Sequence, residues 1–226
     1  MSSHHHPTED VLWDYYRGAL SPGLGLVVRS HLELCPHCRG DIGLFEDIGA
    51  AMLDVIEGVA MADNALDLAL ARIERPESSP AAPAKARPKA PAFLDGVELP
   101  EALKDLRIRG RTWVAPGVWL ARVDVPGAKN DKNGRHKDLT YLLHVPPGMA
   151  MPEHTHRGRE TTLVLKGRFS DERGTYTVGD FACCDDEHCH SPAVAADGDC
   201  ICLISQEAPI VPMTWLGKVL QPFARI

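Results

Sequence analysis

One imidazole and two thiols, His31, Cys35 and Cys38, fall within eight positions in the stretch HLELCPHC. His31 and Cys35 are four apart, so on a helix they share a face. Cys38 follows three residues later, past Pro36, where the chain turns into a next helix. The spacing H-x3-C-x2-C offers three soft or borderline donors to one tetrahedral ion, and a structural Zn2+ asks for a fourth. His4, His5 or His6 from the N-terminus could supply it, as could His37. His37 stands between the two cysteines, so its side chain is expected to point away. A thioredoxin-like dithiol is the competing reading of C-x2-C, but the flanks are helical and no strand precedes the motif.

A second set of donors lies in the segment from Gly148 to Gly167. His154 and His156 are two apart, so on a strand they point to the same side. Glu160 follows after Arg157-Gly158-Arg159 has bent the chain, and His190 comes later, after GDFACCDDEHC. Three imidazoles and a carboxylate on the inner wall of a barrel would hold Zn2+, Fe2+, Mn2+ or a similar ion.

The elements that must carry these donors change texture along the chain. Before residue 76 the apolar spacing is helical. Val11, Leu12, Tyr15, Tyr16 and Ala19 recur at i, i+4 and i+8, with Thr8 as N-cap, and Ser21-Pro22 reads as an N-cap followed by proline at N1. The second helix runs through LGLVVRSHLELC, a third is expected from near Asp41 through IGLFEDIGAAMLDVIEGV, and a fourth in ADNALDLALARIE. Four short helices make a bundle with a thin core, which commonly needs a staple. Pro76 to Ala92 holds five prolines and no large apolar residue, and reads as an extended linker of roughly 50 Å if wholly polyproline II. After it, short alternating or β-branched runs separated by Gly, Pro and Asp turns suggest an antiparallel barrel or double-sheet sandwich. The expected layout is a helical zinc-binding domain over 1–75, a linker over 76–92 and an all-β domain over 93–226.

Composition narrows the function. Hydrophobic residues make up 44% and charged residues 24% of 226, as in soluble globular chains. No apolar run approaches the ~20 residues of a membrane span, and the polar N-terminus does not read as a secretory signal, so a cytoplasmic location is expected. The net charge of −7 argues against direct DNA binding. Residues 1–75 carry five Lys/Arg and twelve Asp/Glu, which concentrates the acidity there. Such a surface suits a basic partner, or simply solubility. Seven cysteines do not make an even disulfide framework.

The pattern G-x5-H-x-H-x3-E-x6-G, met at Gly148, His154, His156, Glu160 and Gly167, resembles the first cupin motif. The second cupin motif is met at Gly179 and His190. Val194 stands where the family has asparagine, and the family's inner proline is replaced within Asp185-Asp186. His188 competes with His190 as fourth ligand, and His190 stands at the usual distance from the glycine. A helical segment with H-x3-C-x2-C, a Pro/Ala linker and a cupin domain together resemble the ChrR-type zinc anti-sigma factors of bacteria. That resemblance implies a jelly-roll cupin barrel and a zinc set of His31, Cys35 and Cys38 with a histidine just before the first helix, where His6 matches best. It also implies a partner, an alternative sigma factor of the extracytoplasmic-function group. The resemblance further implies release on an oxidative signal such as singlet oxygen, a response that needs the cupin domain.

Two other readings compete. A metal-dependent cupin enzyme, of dioxygenase or isomerase type, would use an open coordination position at the His154/His156/Glu160/His190 site, with a small ligand in the barrel. A redox sensor would draw on Cys183, Cys184, Cys189, Cys200 and Cys202. Cys189, flanked by His188 and His190, is the candidate reactive thiol because an adjacent metal or imidazolium lowers a thiol's pKa. On the helical side, the acidic first helix and the apolar face of the third (Ile42, Phe45, Ile48, Met52, Val55) are the candidate partner contacts, with Ile42 and Phe45 the more expected to be core.

Overall fold

The computed structural model of the chain describes residues 3–74, 87–128, 138–155, 158–184 and 191–208, together with the backbone of 211–212. Four helices come first: α1 (Glu9–Tyr16), α2 (Pro22–Leu34), α3 (Pro36–Asp54) and α4 (Ala65–Glu74). A 3-10 turn (Ala92–Leu94) and a short α5 (Glu101–Lys104) lead into twelve strands. They are β1 (Arg107–Ile108), β2 (Thr112–Ala115), β3 (Val118–Asp124), β4 (Leu139–Val145), β5 (His154–Thr155), β6 (Glu160–Lys166), β7 (Arg168–Asp171), β8 (Gly174–Thr177), β9 (Phe181–Cys184), β10 (Ala193–Val194), β11 (Cys200–Gln206) and β12 (Val211–Pro212).

The main antiparallel sheet has the order β1-β3-β4-β11-β6-β9, with β2 also on β3. A three-stranded sheet, β10-β7-β8, and the pair β12-β5 complete the barrel. Strand alternation gives the main sheet two different buried faces. Val164, Cys200, Cys202 and Ile204 face the barrel interior, where they meet Phe169 and Tyr176 from the smaller sheet. Leu142, Leu163, Ile201 and Leu203 face outward and join one apolar cluster with Val11, Leu12, Val27 and Val28 of the helices. Burial on both faces explains why β11 (CICLISQ) is buried at every position.

α2 is the element that lies on this sheet. Ser21 caps its first turn through Leu24 N (3.4 Å), with Pro22 at N1. A carboxylate from the barrel supplements that cap: Gly23 N donates to Asp138 Oδ2 at 2.9 Å. At the other end Arg39 of α3 donates to the carbonyls of Leu32 (2.6 Å) and Glu33 (3.2 Å), satisfying orphan acceptors of the helix end. Glu33 in turn accepts from the Glu101 and Ala102 amides at the start of α5.

Two expectations change. α3 starts at Pro36 rather than near Asp41, because Cys35 is extended and serves as its N-cap, with proline at N1. The helices also do not form a four-helix bundle. α1, α2 and α3 pack together, whereas α4 buries no residue. Its apolar side chains are turned to solvent, so it adds nothing to a core. Among the described residues no helix is long and apolar enough to cross a membrane.

The close approach of α2 to the sheet depends on Gly23. A Cβ there would stand inside van der Waals contact of Asp138 Oδ1, Thr140 Oγ1 and Ser205 Oγ, whereas a Cβ at Gly25 meets nothing within 4 Å. Gly23→Ala is expected to cost about 1–3 kcal/mol. Gly25→Ala is expected to gain roughly 0.5–1 kcal/mol from helix propensity. Urea unfolding midpoints of the two variants, shifting in opposite directions, check this.

Candidate metal centre

His6, His31, Cys35 and Cys38 meet at one point, with one donor atom from each lying within 4.8 Å of all the others. His31 comes from the last turn of α2, Cys35 from the α2–α3 junction and Cys38 from the first turn of α3. His6 enters from the segment before α1. Cys38 Sγ lies 3.4 Å from His31 Nε2 and 3.4 Å from His6 Nδ1, and Cys35 Sγ lies 3.4 Å from His6 Nδ1. A tetrahedral Zn2+ with its usual bond lengths sets N···S edges of about 3.5 Å, so the donors already have the spacing the ion requires.

Protonation fits as well. His31 Nδ1 is 2.9 Å from the carbonyl of Gly179, which can only accept, so Nδ1 carries the proton and Nε2 presents its lone pair to the centre. Burial lowers the His31 pKa to about 4, which keeps the ring neutral. His6 is lowered too, by burial and then by the neighbouring His37. Burial pushes the Cys38 thiol up to about 12, and Cys35 beside it adds to the shift. Burial also raises Cys35, but hydrogen bonds led by the Cys38 amide outweigh it and bring that thiol below its ordinary value. Two adjacent thiolates therefore repel unless a cation joins them, and a divalent ion is what this donor set accommodates.

Of the other N-terminal histidines, His4 and His5 donate their backbone amides to Asp180 Oδ1 (2.5 and 3.1 Å). His37 is turned outward, as its position between the cysteines predicts. It sits beside the His6 ring at 4.9 Å and 3.8 Å from Asp41.

In the barrel, His154 lies on β5 and Glu160 opens β6, paired to Cys184 of β9 and Gln206 of β11. His154 Nδ1 donates to Pro152 O at 2.8 Å, which puts the ring's proton on Nδ1. Glu160 is buried, and burial pushes its carboxyl up to about 8. His156, His188, Cys189 and His190 lie outside the described residues. Cys200 and Cys202 share the inner face of β11 with their sulfurs 3.6 Å apart, and both are buried. Cys183 and Cys184 point to opposite faces of β9. Cys183 packs toward the helices, and Cys184 faces inward with its sulfur 2.6 Å from Arg173 Nη2.

Sequence analysis does not anticipate Gly179 and Asp180 as contributors to the first centre. They lie 148 and 176 positions from the residues they contact, His31 and His4. In the sequence Gly179 stands out through its place in the second cupin motif, which says nothing of a contact with His31.

The Glu160 shift has a pH consequence in the metal-free chain. The unfolded chain holds this carboxyl near 4.3 and the folded one near 8, so between these values the folded state binds more protons and stability falls as pH rises. Glu160→Gln is expected to remove that loss. Its stabilisation relative to wild type should grow from about pH 4.3 to about pH 8 and then level off. Urea midpoints in chelator-treated protein across this range test it, and a difference that stays flat contradicts it.

Known proteins place the chain. Residues 130–209 match the family described as "ChrR Cupin-like domain", and residues 7–39 the family described as "Putative zinc-finger". The chain is 35% identical over 226 residues to the anti-sigma-E factor ChrR of Cereibacter sphaeroides, covering 100% of both chains. It is also similar to a chain in the crystal structure of Rhodobacter sphaeroides SigE in complex with the anti-sigma ChrR. There the identity is 32% and the TM-score 0.63, covering 90% of this chain and 98% of that one. With a helical His/Cys centre at one end, a cupin-like barrel at the other and a relative matched along its whole length, the chain belongs to the ChrR family of anti-sigma factors.

Proposed function

We propose that this chain is a cytoplasmic, zinc-stapled anti-sigma factor. It sequesters a sigma factor of the extracytoplasmic-function type and releases it on an oxidative signal, such as singlet oxygen, that requires the cupin domain. Residues 1–75 bind the partner, 76–92 link, and 93–226 sense. Family membership favours this over the cupin-enzyme reading.

The observation that carries the proposal is an apolar surface left exposed among the described residues. Ile42 and Phe45 pack on the helical core, but beyond them α3 turns outward. Met52 is 63% exposed and Val55 83%. In α4, Leu66, Leu68 and Ile73 are likewise exposed. A ten-residue helix that buries none of its residues among the described ones is marginal in water, so α4 gains most from a partner that covers it. The acidity of residues 1–75 complements a basic, nucleic-acid-facing surface.

Zinc at His6, His31, Cys35 and Cys38 is structural in this reading: it supplies folding energy and does no chemistry. His154, His156, Glu160 and His190 hold a second divalent ion, zinc or another, in the barrel, with Cys189 as the candidate redox residue. The buried position of Glu160 at the start of β6, with His154 on β5, supports that set. Binding of an ion there deprotonates the buried Glu160 and so depends on pH.

Cys38→Ser is expected to lose zinc and, with it, inhibition of the sigma factor. Zinc analysis and co-purification with genomic-neighbour sigma factors read both, and a Cys38→Ser chain with full zinc and full inhibition sinks the proposal. Met52→Glu and Leu68→Glu change exposed positions and keep good helix formers, so stability should move by no more than about 0.5 kcal/mol. Their affinity for the sigma factor should drop at least about tenfold, or roughly 1.4 kcal/mol. Titration calorimetry against the wild-type chain measures this.

A further inference from the structure

The four donors of the zinc centre do not all take their places from the helices. Cys35 and Cys38 are set by the α2–α3 junction. The other two depend on one turn of the barrel. Gly179 accepts the Nδ1 proton of His31 and so fixes the plane of that ring. Its neighbour Asp180, 1% exposed, holds the segment that ends in His6. Asp180 Oδ1 accepts from the amides of His4 and His5, and Oδ2 accepts from Thr177 N (2.8 Å) and Thr177 Oγ1 (2.9 Å). His5 continues the attachment: its carbonyl accepts from Phe181 N at 3.0 Å, and its ring sits 4.3 Å from Tyr176. The N-terminal segment is thus laid along the barrel before it reaches the metal centre.

We infer that Asp180, with the Gly179 carbonyl beside it, is a positioning residue of the zinc site, so that the order of the cupin barrel sets how tightly the helical half holds zinc. The inference rests on the zinc reading above and adds the regulation of that site. The geometry gives it a direction. β9 leaves this turn at Phe181 and ends at Cys184, opposite Glu160. A rearrangement at the barrel's own donors therefore reaches the zinc ligands along one short strand. Loosening the turn removes one ligand's anchor and another ligand's orienting hydrogen bond, and leaves the two thiolates in place.

Losing such a supporting contact typically weakens metal affinity about 10–100-fold. The test uses the full chain as wild type, Asp180→Ala, Asp180→Asn and Asp138→Ala. Competition with a chromophoric chelator reads zinc affinity, and Co2+ d–d absorption reads the coordination geometry. Asp180→Ala is expected to lose about 10–100-fold in zinc affinity and to shift the Co2+ spectrum as His6 leaves the set. Asp180→Asn keeps one acceptor oxygen for the His4 and His5 amides and should fall between. Asp138→Ala loosens the other end of α2 and should stay near wild type. Amide exchange at Leu163 and Leu203 reports whether the barrel is intact. If Asp180→Ala fails that check, Asp180→Asn decides.

Wild-type affinity and spectrum in the Asp180 variants overturn the inference. Equal losses in the Asp180 and Asp138 variants also overturn it, since they report general loosening. A Cys38→Ser chain that takes up zinc as fully as wild type overturns the zinc reading itself.

Discussion

The structure depends on α2 being held against the main sheet along its whole length. Its inner face is buried and largely apolar, with Val27 and Val28 set against the outward residues of β6 and β11 and Ser30 and His31 buried further along. Each end is fixed by a polar contact from the barrel: Asp138 takes the Gly23 amide, and Gly179 takes the His31 ring. Buried polar groups of this kind need partners, and here the partners belong to opposite halves of the chain. Helices and barrel share an apolar cluster as a result, and neither buries its α2-facing surface without the other.

That arrangement explains the sequence of the barrel. A cupin wall that faced water would alternate apolar and polar residues. β11 instead reads CICLISQ and is buried throughout, because one face lines the barrel and the other receives α2. Ser205, a polar residue on the α2 face, finds its place beside Asp138 and Thr140, where the helix N-terminus approaches. The glycine that allows this approach sits in the helix, at position 23, and the acidic residue that caps it sits 115 positions later.

Legibility in the sequence followed distance along the chain. His31, Cys35 and Cys38 are readable because helix geometry and a short junction place them together. His154 and Glu160 stand out through a spacing that resembles a known motif, and they lie on β5 and at the start of β6. His6 needed a resemblance: its neighbours His4 and His5 are chemically identical candidates, and what separates them is a barrel turn far away in sequence. The start of α3 was open to the rule that identified Ser21-Pro22, since Cys35-Pro36 repeats it with a thiol as the capping group. The exposure of α4 was not readable at all, because leucines at helical spacing look the same whether they meet a core or water.

The same exposure accounts for the metal. A helical half of about seventy-five residues can bury only a small core, and this one leaves much of α3's second half and all of α4 in solvent. What remains for its own core is the short contact of α1, α2 and the first half of α3. Trp13, Tyr16 and Phe45 touch there, with Trp13 itself half exposed. A core so small cannot fix the angle between α2 and α3 by packing alone. The four-donor centre stands at that junction, where a tetrahedral ion would set the angle by bond geometry instead. An apolar surface open to a partner and a metal-ligating hinge are then two sides of one constraint: residues committed to the outside must be replaced, inside, by something other than hydrophobic contact.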